Sequence, residues 1–412
     1  MPNVLLTPQI ITRECQRILH QKSNLIGRVQ RQYDDRFAQR NDVIGQILNL
    51  RLPVKYTTRR GPTLAVQNTV QRSVPLPIAS MFGIDMTFSS YELTFDLNTF
   101  STNIIEPAMS QLAATIEGAF LQDVYKRVAN FSGSTTTTVD YRSFQMAGRF
   151  LADNLAPPSQ RTFGINPQTR VDFSDAVKGL FQSSDRIEEQ YVEGKVGRTG
   201  GFDVYENTLL PSHTVGAYVG SPTVSGTQGN AGTGNAYVST TSLATSGWTG
   251  NVTGLLKAGD IITISGVYEV HPETKANLGY LKRFVVQEDV DSTSGNATVP
   301  IAPGIIYGGA YQNASQAASG GATITVIGTA SSSYGQNLAF HRDAFAFVSA
   351  DLELPGDGKF EARERFENLS MRLIRKYDIN NDKLPCRIDV AVGWTTVYAE
   401  LACRTIHKLD SA

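Results

Sequence analysis

Apolar residues recur every three or four positions between Asn103 and Ala129, at Ile105, Met109, Leu112, Ile116, Phe120, Val124 and Val128. That spacing predicts a single amphipathic helix over 103–129, roughly 40 Å long at 1.5 Å per residue. Asn103 and Glu106 have the spacing of a capping box, with Asn in place of Ser or Thr. Pro107 falls in the first turn, where its missing N–H is tolerated. Upstream the period changes to two: Tyr91, Leu93, Phe95 and Leu97 alternate with Glu92, Thr94 and Asp96. Alternation of this kind is a half-buried strand, and Ile84–Phe88 reads as its partner. Ile10, Ile11, Cys15, Ile18 and Leu19 predict a helix near the N-terminus, with Thr7 as N-cap and Pro8 in the first helical position. Phe144–Asn154, Phe173–Phe181 and Ser184–Glu193 read as further helices, the first stopped by Pro157 and Pro158.

Two segments break with this helix-and-strand pattern. Over 46–82, Pro53, Pro62, Pro75 and Pro77 punctuate the alternating runs Val54–Thr58 and Thr63–Val70. They predict an extended β-ribbon with Thr58–Pro62 near its tip. A lone ribbon is marginal in water, so it needs another surface to lie on. At Gly216 the composition shifts: no charged residue occurs from Gly216 to Gly254, and Gly, Ser, Thr and Ala dominate. Leu255–Val270, Leu281–Gln287 and Ala322–Ile327 then read as strands between Gly and Pro turns. This is an all-β insertion over 216–335, and its two ends must meet if the parent domain continues across it.

The chain has 412 residues, enough for two or three domains. Charged residues are 18% of the total, below the usual ~25%. That balance suits β-structure with surfaces buried between copies. A net charge of −1 lets copies crowd with little repulsion. It also argues against a dedicated nucleic-acid binder, which is usually strongly basic. Cys15, Cys386 and Cys403 offer no disulfide framework, which fits a reducing cytoplasm. His20, His213, His271, His341 and His407 show no metal-binding spacing. The N-terminus lacks a signal-peptide pattern, and no apolar run is long enough to span a membrane.

Candidate chemistry is sparse. Gly194–Gly201 has glycines at phosphate-loop spacing, but a strand-like run follows where a helix is required, so a turn is expected. Asp351, Glu353 and Asp357 cluster around Leu354-Pro355-Gly356 without EF-hand spacing or a partner histidine, and read as solvated loop carboxylates. His341-Arg342-Asp343 matches the kinase catalytic-loop triplet, but the other kinase elements are missing. In the first 45 residues Lys22, Arg28, Arg31, Arg36 and Arg40 outnumber Asp34 and Asp35. They form either a solvated helix face or a basic surface.

The last seventy residues carry a resemblance. Leu373-Ile374-Arg375-Lys376-Tyr377-Asp378, Leu384-Pro385-Cys386-Arg387-Ile388-Asp389-Val390, Gly393-Trp394 and the ending Tyr398–Arg404 resemble the closing segment of tailed-phage major coat proteins. Gly200–Asn207 is similar to the same family. Ala258–Val267, then His271-Pro272-Glu273-Thr274-Lys275, then Phe284-Val285-Val286, resemble the inserted β-barrel of coat proteins from short-tailed phages.

The resemblance implies an α+β tailed-phage capsid fold. Its parts would be an N-terminal arm (1–45), an extended loop (46–82), a peripheral domain (83–135 and 366–412) with spine helix 103–129, an axial domain (136–215 and 336–365), and the inserted barrel (216–335). Asn368–Tyr377 and Arg387–Val392 would pair with the 84–97 strands. It implies a major capsid protein, not an enzyme. With a scaffolding protein it would assemble in the bacterial cytoplasm into an icosahedral shell of hexamers and pentamers. A portal protein and packaged double-stranded DNA would be further partners. No cofactor and no membrane are implied. The arm and ribbon fill most of the chain before the spine helix, leaving no space for a fused scaffolding domain of ~100 residues, so a separate scaffold is expected.

Arg51, Lys55, Arg59 and Arg60 on the ribbon, and Lys275, Lys282 and Arg283 on the insertion, are candidate intersubunit contacts, the last three equally readable as solvated. Arg28, Arg31, Arg36 and Arg40 would face scaffold or DNA from the inner surface. The competing reading is a phage-associated, hydrolase-like enzyme with an inserted β-domain. It needs a nucleophile–base or carboxylate pair in a recognisable motif, and none is present.

Overall fold

The computed structural model describes residues 8–22, 25–31, 47–64, 66–78, 80–89, 105–177, 198–354, 356, 360–366, 369–379 and 383–408. Four α-helices, α1–α4, and twenty strands, β1–β20, occur in chain order among them. They divide into two compact units.

The first unit draws on Met1–Leu50, Val74–Phe120 and Phe345–Val397. Its centre is an antiparallel sheet around the long strand β19 (Lys383–Thr396). One edge of β19 pairs with β3 (Ser80–Ser89). The other edge pairs with β18 (Leu369–Arg375), which continues to β17 (Phe360–Phe366), and with β16 (Phe345–Ala350). Helix α1 (Pro8–Lys22) packs on β17 and β18 with Ile11, Cys15, Ile18 and Leu19 buried. The chain then crosses back, and Gln30 bonds the backbone of Phe345 and Phe347.

Helix α2 spans Glu106–Val124 and tightens into a 3-10 turn over Tyr125–Arg127. Every position of the apolar stripe from Ile105 to Val128 is buried. The helix is thus shorter at its C-terminal end than the periodicity alone predicts, because the last turn closes as 3-10 before the extended Val128. Its Phe120 meets Phe345, Phe347 and Trp394 edge-on at 6.0, 6.2 and 6.1 Å. Gly393, beside Trp394, has no room for a side chain: a Cβ there would lie 2.1 Å from Pro77 O.

The second unit draws on Arg51–Ser73, Leu121–Ala344 and Tyr398–Ala412. It contains a mixed seven-stranded sheet in the order β4 (Phe131–Gly133), β20 (Ala402–Lys408), β15 (Ser333–His341), β5 (Arg161–Ile165), β7 (Phe202–Glu206), β6 (Arg198–Thr199), with β8 (Ser212–Thr214) also on β15. The core beside it holds Phe144 and Phe150 of α3 (Tyr141–Asp153), Phe173 of α4 (Pro167–Val177), and Phe163 and Phe202. Asp140 caps α3, accepting from Ser143 N at 2.7 Å. Burial works to raise the Asp140 pKa, but the Ser143 hydroxyl and amide, with Arg142, outweigh it and hold the carboxyl below its ordinary range.

The insertion forms a six-stranded sheet in the order β14 (Ile324–Val326), β11 (Ile261–Val270), β12 (Asn277–Val286), β13 (Ala297–Ala302), β10 (Thr241–Trp248), β9 (Gly220–Val224). Its two edges meet: Val224 N bonds Ala322 O at 2.9 Å and Gly321 N bonds Val224 O at 2.8 Å. The sheet is therefore nearly closed into a barrel. Ile262, Ile264, Phe284, Val286, Val299 and Ile301 fill it. The ends of the insertion lie side by side, with Val215 N on Ser332 O at 3.0 Å. The charge-free segment is ordered here as β9 and β10.

Three expectations are corrected. β18 pairs with β17 and β19, not with β3. Phe345–Ala350 joins the sheet of the first unit, and Ala402–Lys408 joins the seven-stranded sheet, the reverse of the implied layout. The chain changes sheets at two short 3-10 turns, Arg342–Ala344 and Ala399–Leu401, which the residue pattern does not announce. Among the described residues the ribbon arms are not strands, and the base alone pairs, as β1 (Ile47–Arg51) with β2 (Ser73–Pro77). The expected strand 91–97, the helix 184–193 and the cap at Asn103 lie outside the described residues.

Candidate functional site

Beyond the β1–β2 base and the Leu52 N to Arg72 O bond at 2.9 Å, the described residues of the ribbon show no backbone ladder. Side chains replace it. The Gln67 amide bonds both N and O of Thr57, standing in for one strand pair. At the tip the Arg59 guanidinium donates to Gly61 O and Thr63 O. Arg59 therefore shapes the tip itself. Arg51, Lys55 and Arg60 are exposed residues on the same segment. Lys55 is exposed as a residue, but crowding of its ammonium by protein holds its pKa below the usual lysine range, with Glu400 pulling the other way. The same segment carries exposed apolar side chains: Tyr56 at 61%, Leu64 at 78% and Val66 at 85%.

The three insertion cations sit differently. Lys282 is 4% exposed and bonds Glu269 Oε1 at 2.8 Å. The Arg283 guanidinium lies over Phe150 at 4.1 Å and Phe131 at 4.7 Å, with Tyr280 at 5.5 Å. Lys275, with φ +60°, donates to Pro272 O, Ala310 O and Gln312 O at 2.7, 2.9 and 3.1 Å. Burial, then the charge of Lys55, pushes its pKa down to about 8. All three are engaged within the chain. Neighbouring strand positions face opposite ways, so Lys282 meets its barrel neighbour while Arg283 meets Phe150 of helix α3.

A buried polar cluster lies where the insertion leaves its host sheet. Asp260 accepts from His213 Nε2 at 2.7 Å, Lys257 N at 2.8 Å and Gly216 N at 3.1 Å. Tyr125 reaches the other ring nitrogen of His213 at 3.2 Å. Arg404, fully buried, donates to Gly259 O at 2.9 Å and stands over Tyr125. Burial lowers its pKa to about 10. In the sequence, the signal for this role was a lone arginine in an apolar strand run, Ala402–Ile406.

On the arm, Arg28 is exposed, and Arg31 donates to Ile26 O at 3.3 Å with its guanidinium 6.0 Å from the Phe347 ring centre. Arg36 and Arg40 lie outside the described residues. Burial pushes the thiols of Cys15, Cys386 and Cys403 up to about 12, 11 and 12, so they are protonated at neutral pH. Among the described residues no His, Cys, Asp and Glu cluster is placed to hold a metal ion. His341-Arg342-Asp343 forms a turn in which Asp343 N bonds His341 Nδ1 at 3.3 Å. Residues missed in the sequence, Asn235, Tyr237 and Tyr311, contact the ribbon. Their signal was two glycine-rich runs carrying Tyr and Asn, 229–237 and 304–313.

Comparison with known proteins gives a family match across most of the chain. The sequence model of the P22 coat protein family (P22 coat protein, gene protein 5) matches residues 35–403. No individually curated protein matches in sequence. Among solved structures, one of Mycobacterium phage Che8 is similar at 11% identity over 93% of this chain and 90% of that chain, with a TM-score of 0.46. The capsid of an empty GTA particle is similar at 10% identity over 88% and 85%, with a TM-score of 0.41. The CUS-3 coat protein I-domain is 25% identical over 27% of this chain and 98% of that one, with a TM-score of 0.20. Since the family match runs from the arm through the ribbon, the insertion and the C-terminal strands, the chain belongs to the P22 coat protein family and is a bacteriophage major capsid protein, a structural subunit of the virion shell and not an enzyme.

Proposed function

We propose that this chain, with a separate scaffolding protein, assembles in the host bacterial cytoplasm into an icosahedral shell of hexamers and pentamers around double-stranded DNA, and that the shell also takes up a portal protein. The observation that carries the reading is the ribbon. Residues 52–72 present Tyr56, Leu64 and Val66 to solvent beside Arg59 and Arg60. An exposed apolar edge flanked by cations suits an adjacent copy that offers apolar and acidic groups. Arg51, Lys55, Arg59 and Arg60 are the proposed intersubunit contacts. Arg28 and Arg31, with Arg36 and Arg40, are proposed to meet scaffold or DNA phosphate from inside, without sequence preference.

The test is co-expression with the scaffolding protein, read by electron microscopy and sedimentation. Arg59→Glu with Arg60→Glu should leave a folded subunit that assembles poorly. Because Arg59 also holds the tip, Arg60→Glu alone separates lost intersubunit charge from a loosened tip. Shells at wild-type yield from both variants would remove the ribbon from the interface.

A further inference from the structure

Residues 52–72 have almost no fold of their own, yet their two legs are fixed at several points on one face of the insertion. The Tyr311 hydroxyl donates to Val70 O at 2.7 Å on one leg and stands 3.5 Å from Lys55 N on the other. One buried phenol thus sets the spacing of both legs. Asn235 Nδ2 reaches Asn68 O at 3.3 Å and Gln67 Oε1 at 3.5 Å. The Arg72 guanidinium stands 4.0 Å from the centre of the Tyr237 ring, which itself meets Tyr311 edge-on at 5.4 Å. Val70 packs with Tyr237 against Ile306, Ala310 and Tyr311.

The receiving face is built for this shape. It consists of two loops, 229–237 and 304–313, held together by Asn230 N on Ile305 O at 2.8 Å and Tyr307 N on Asn230 O at 3.0 Å. Gly232, with φ +67°, lets them touch: a Cβ there would lie 1.9 Å from Gly308 O. Asn235 adopts φ +59°, a conformation that non-glycine residues seldom hold. Its Oδ1 accepts from Ala310 N at 3.1 Å while its Nδ2 faces the ribbon. The unusual backbone therefore aims one amide at both the second loop and the ribbon. Strain kept at a point of contact indicates a selected arrangement.

We propose that the insertion domain carries a built-in receptor for the ribbon of its own chain, and that it orders the ribbon before the subunit meets its neighbours. The contacts take the inner side of the ribbon and leave Tyr56, Leu64 and Val66 exposed. A segment already ordered loses less conformational freedom when a second copy binds it. That consequence rests on the assembly reading above; the receptor itself does not.

The test uses the full chain as unassembled subunits. Asn68→Cys with Thr233→Cys places thiols beside the contact: a Cβ built on the adjacent Gly234 lies 3.8 Å from Asn68 Nδ2, and both substituted residues are exposed. Treatment with a short bis-maleimide should give a single-chain species whose linked peptide joins residues 68 and 233. Dimers and higher ladders would show docking on another copy, and no link would show an unheld ribbon; either overturns the proposal. In parallel, Tyr311→Phe should speed amide exchange over 52–72 about tenfold, the scale of one lost hydrogen bond, with the barrel strands unchanged. Unchanged exchange over 52–72 would overturn the role of the hydroxyl. Failed assembly with an intact internal link would count against the assembly reading and not against the receptor.

Discussion

At the scale of single residues, the molecule holds several charges away from water, each in a specific frame. Asp389 in β19 is 1% exposed, with Arg372 Nη2 at 2.6 Å and Arg387 Nε at 2.7 Å. Gly83 on the facing strand leaves the space: a Cβ there would lie 2.8 Å from Asp389 Oδ1. Asp389→Ala leaves the largely buried Arg372 without its carboxylate and should cost roughly 3 kcal/mol, as for other broken buried pairs. The urea midpoint of the unassembled subunit measures this, and a shift near zero would refute it. Lys275 gives a pH signature. Its folded pKa is about 8, below the ~10.4 of an unfolded lysine. Between those values the unfolded chain binds more protons, so stability from this group rises with pH across that window. Comparing urea midpoints at pH 7.5 and 9.5 should show the rise in wild type and a smaller one in Lys275→Met. The sequence showed these cations but not their surroundings. Lys282 and Arg283 read as surface because their partners Glu269, Phe131 and Phe150 come from other elements.

At the scale of elements, legibility followed periodicity. The spine helix was readable because its stripe is long and its burial comes from one face, Ile105 through Val128. Strands β11 and β12 were readable because their apolar runs are bounded by turns. β9 and β10 were not, because Thr, Ser, Gly and Ala carry little alternation; Val224 in β9 and Leu243 and Trp248 in β10 are the large apolar residues that betray the buried face. The ribbon was misread as paired arms since alternation reports exposure on one side, whatever covers the other. Pro53 and Pro62 withhold backbone donors, and the side-chain bridge from Gln67 to Thr57 does the pairing instead. Local capping was also only partly legible. Asp140 before α3 accepts from the Ser143 amide and hydroxyl. Asp140→Ala should lower stability by about 1 kcal/mol, typical of a lost N-cap. Asp140→Asn, which keeps an acceptor, should recover most of it in the same thermal or urea measurement.

For the whole molecule, the question is how far the insertion stands as a folding unit of its own. Its barrel core is filled from within: Leu243, Ile262, Ile264, Phe284, Val286, Val299 and Ile301 are completely buried. The Trp248 indole bonds Thr245 Oγ1 at 2.7 Å, which in turn donates to Ala297 O at 2.7 Å, so the charge-free half is tied to β13 inside the barrel. Against this, β12 gives Arg283 and Tyr280 to the host: Tyr280 bonds Asp153 at 3.2 Å, and Arg149 stands 5.2 Å from its ring centre. The root cluster also borrows Tyr125, His213 and Arg404 from outside the insertion. Of the buried residues in the barrel core all but Val215 and Ile406 belong to the insertion, and the edges close within the insertion itself. Residues 216–334 expressed alone should therefore give a dispersed amide NMR spectrum. Amides of β12 and of Lys257–Asp260 should exchange faster there than in the full chain, because their covers are gone. A collapsed spectrum would mean that Arg404, Tyr125 and the α3 face are required to fold the barrel, and that the insertion is a decoration completed by its host.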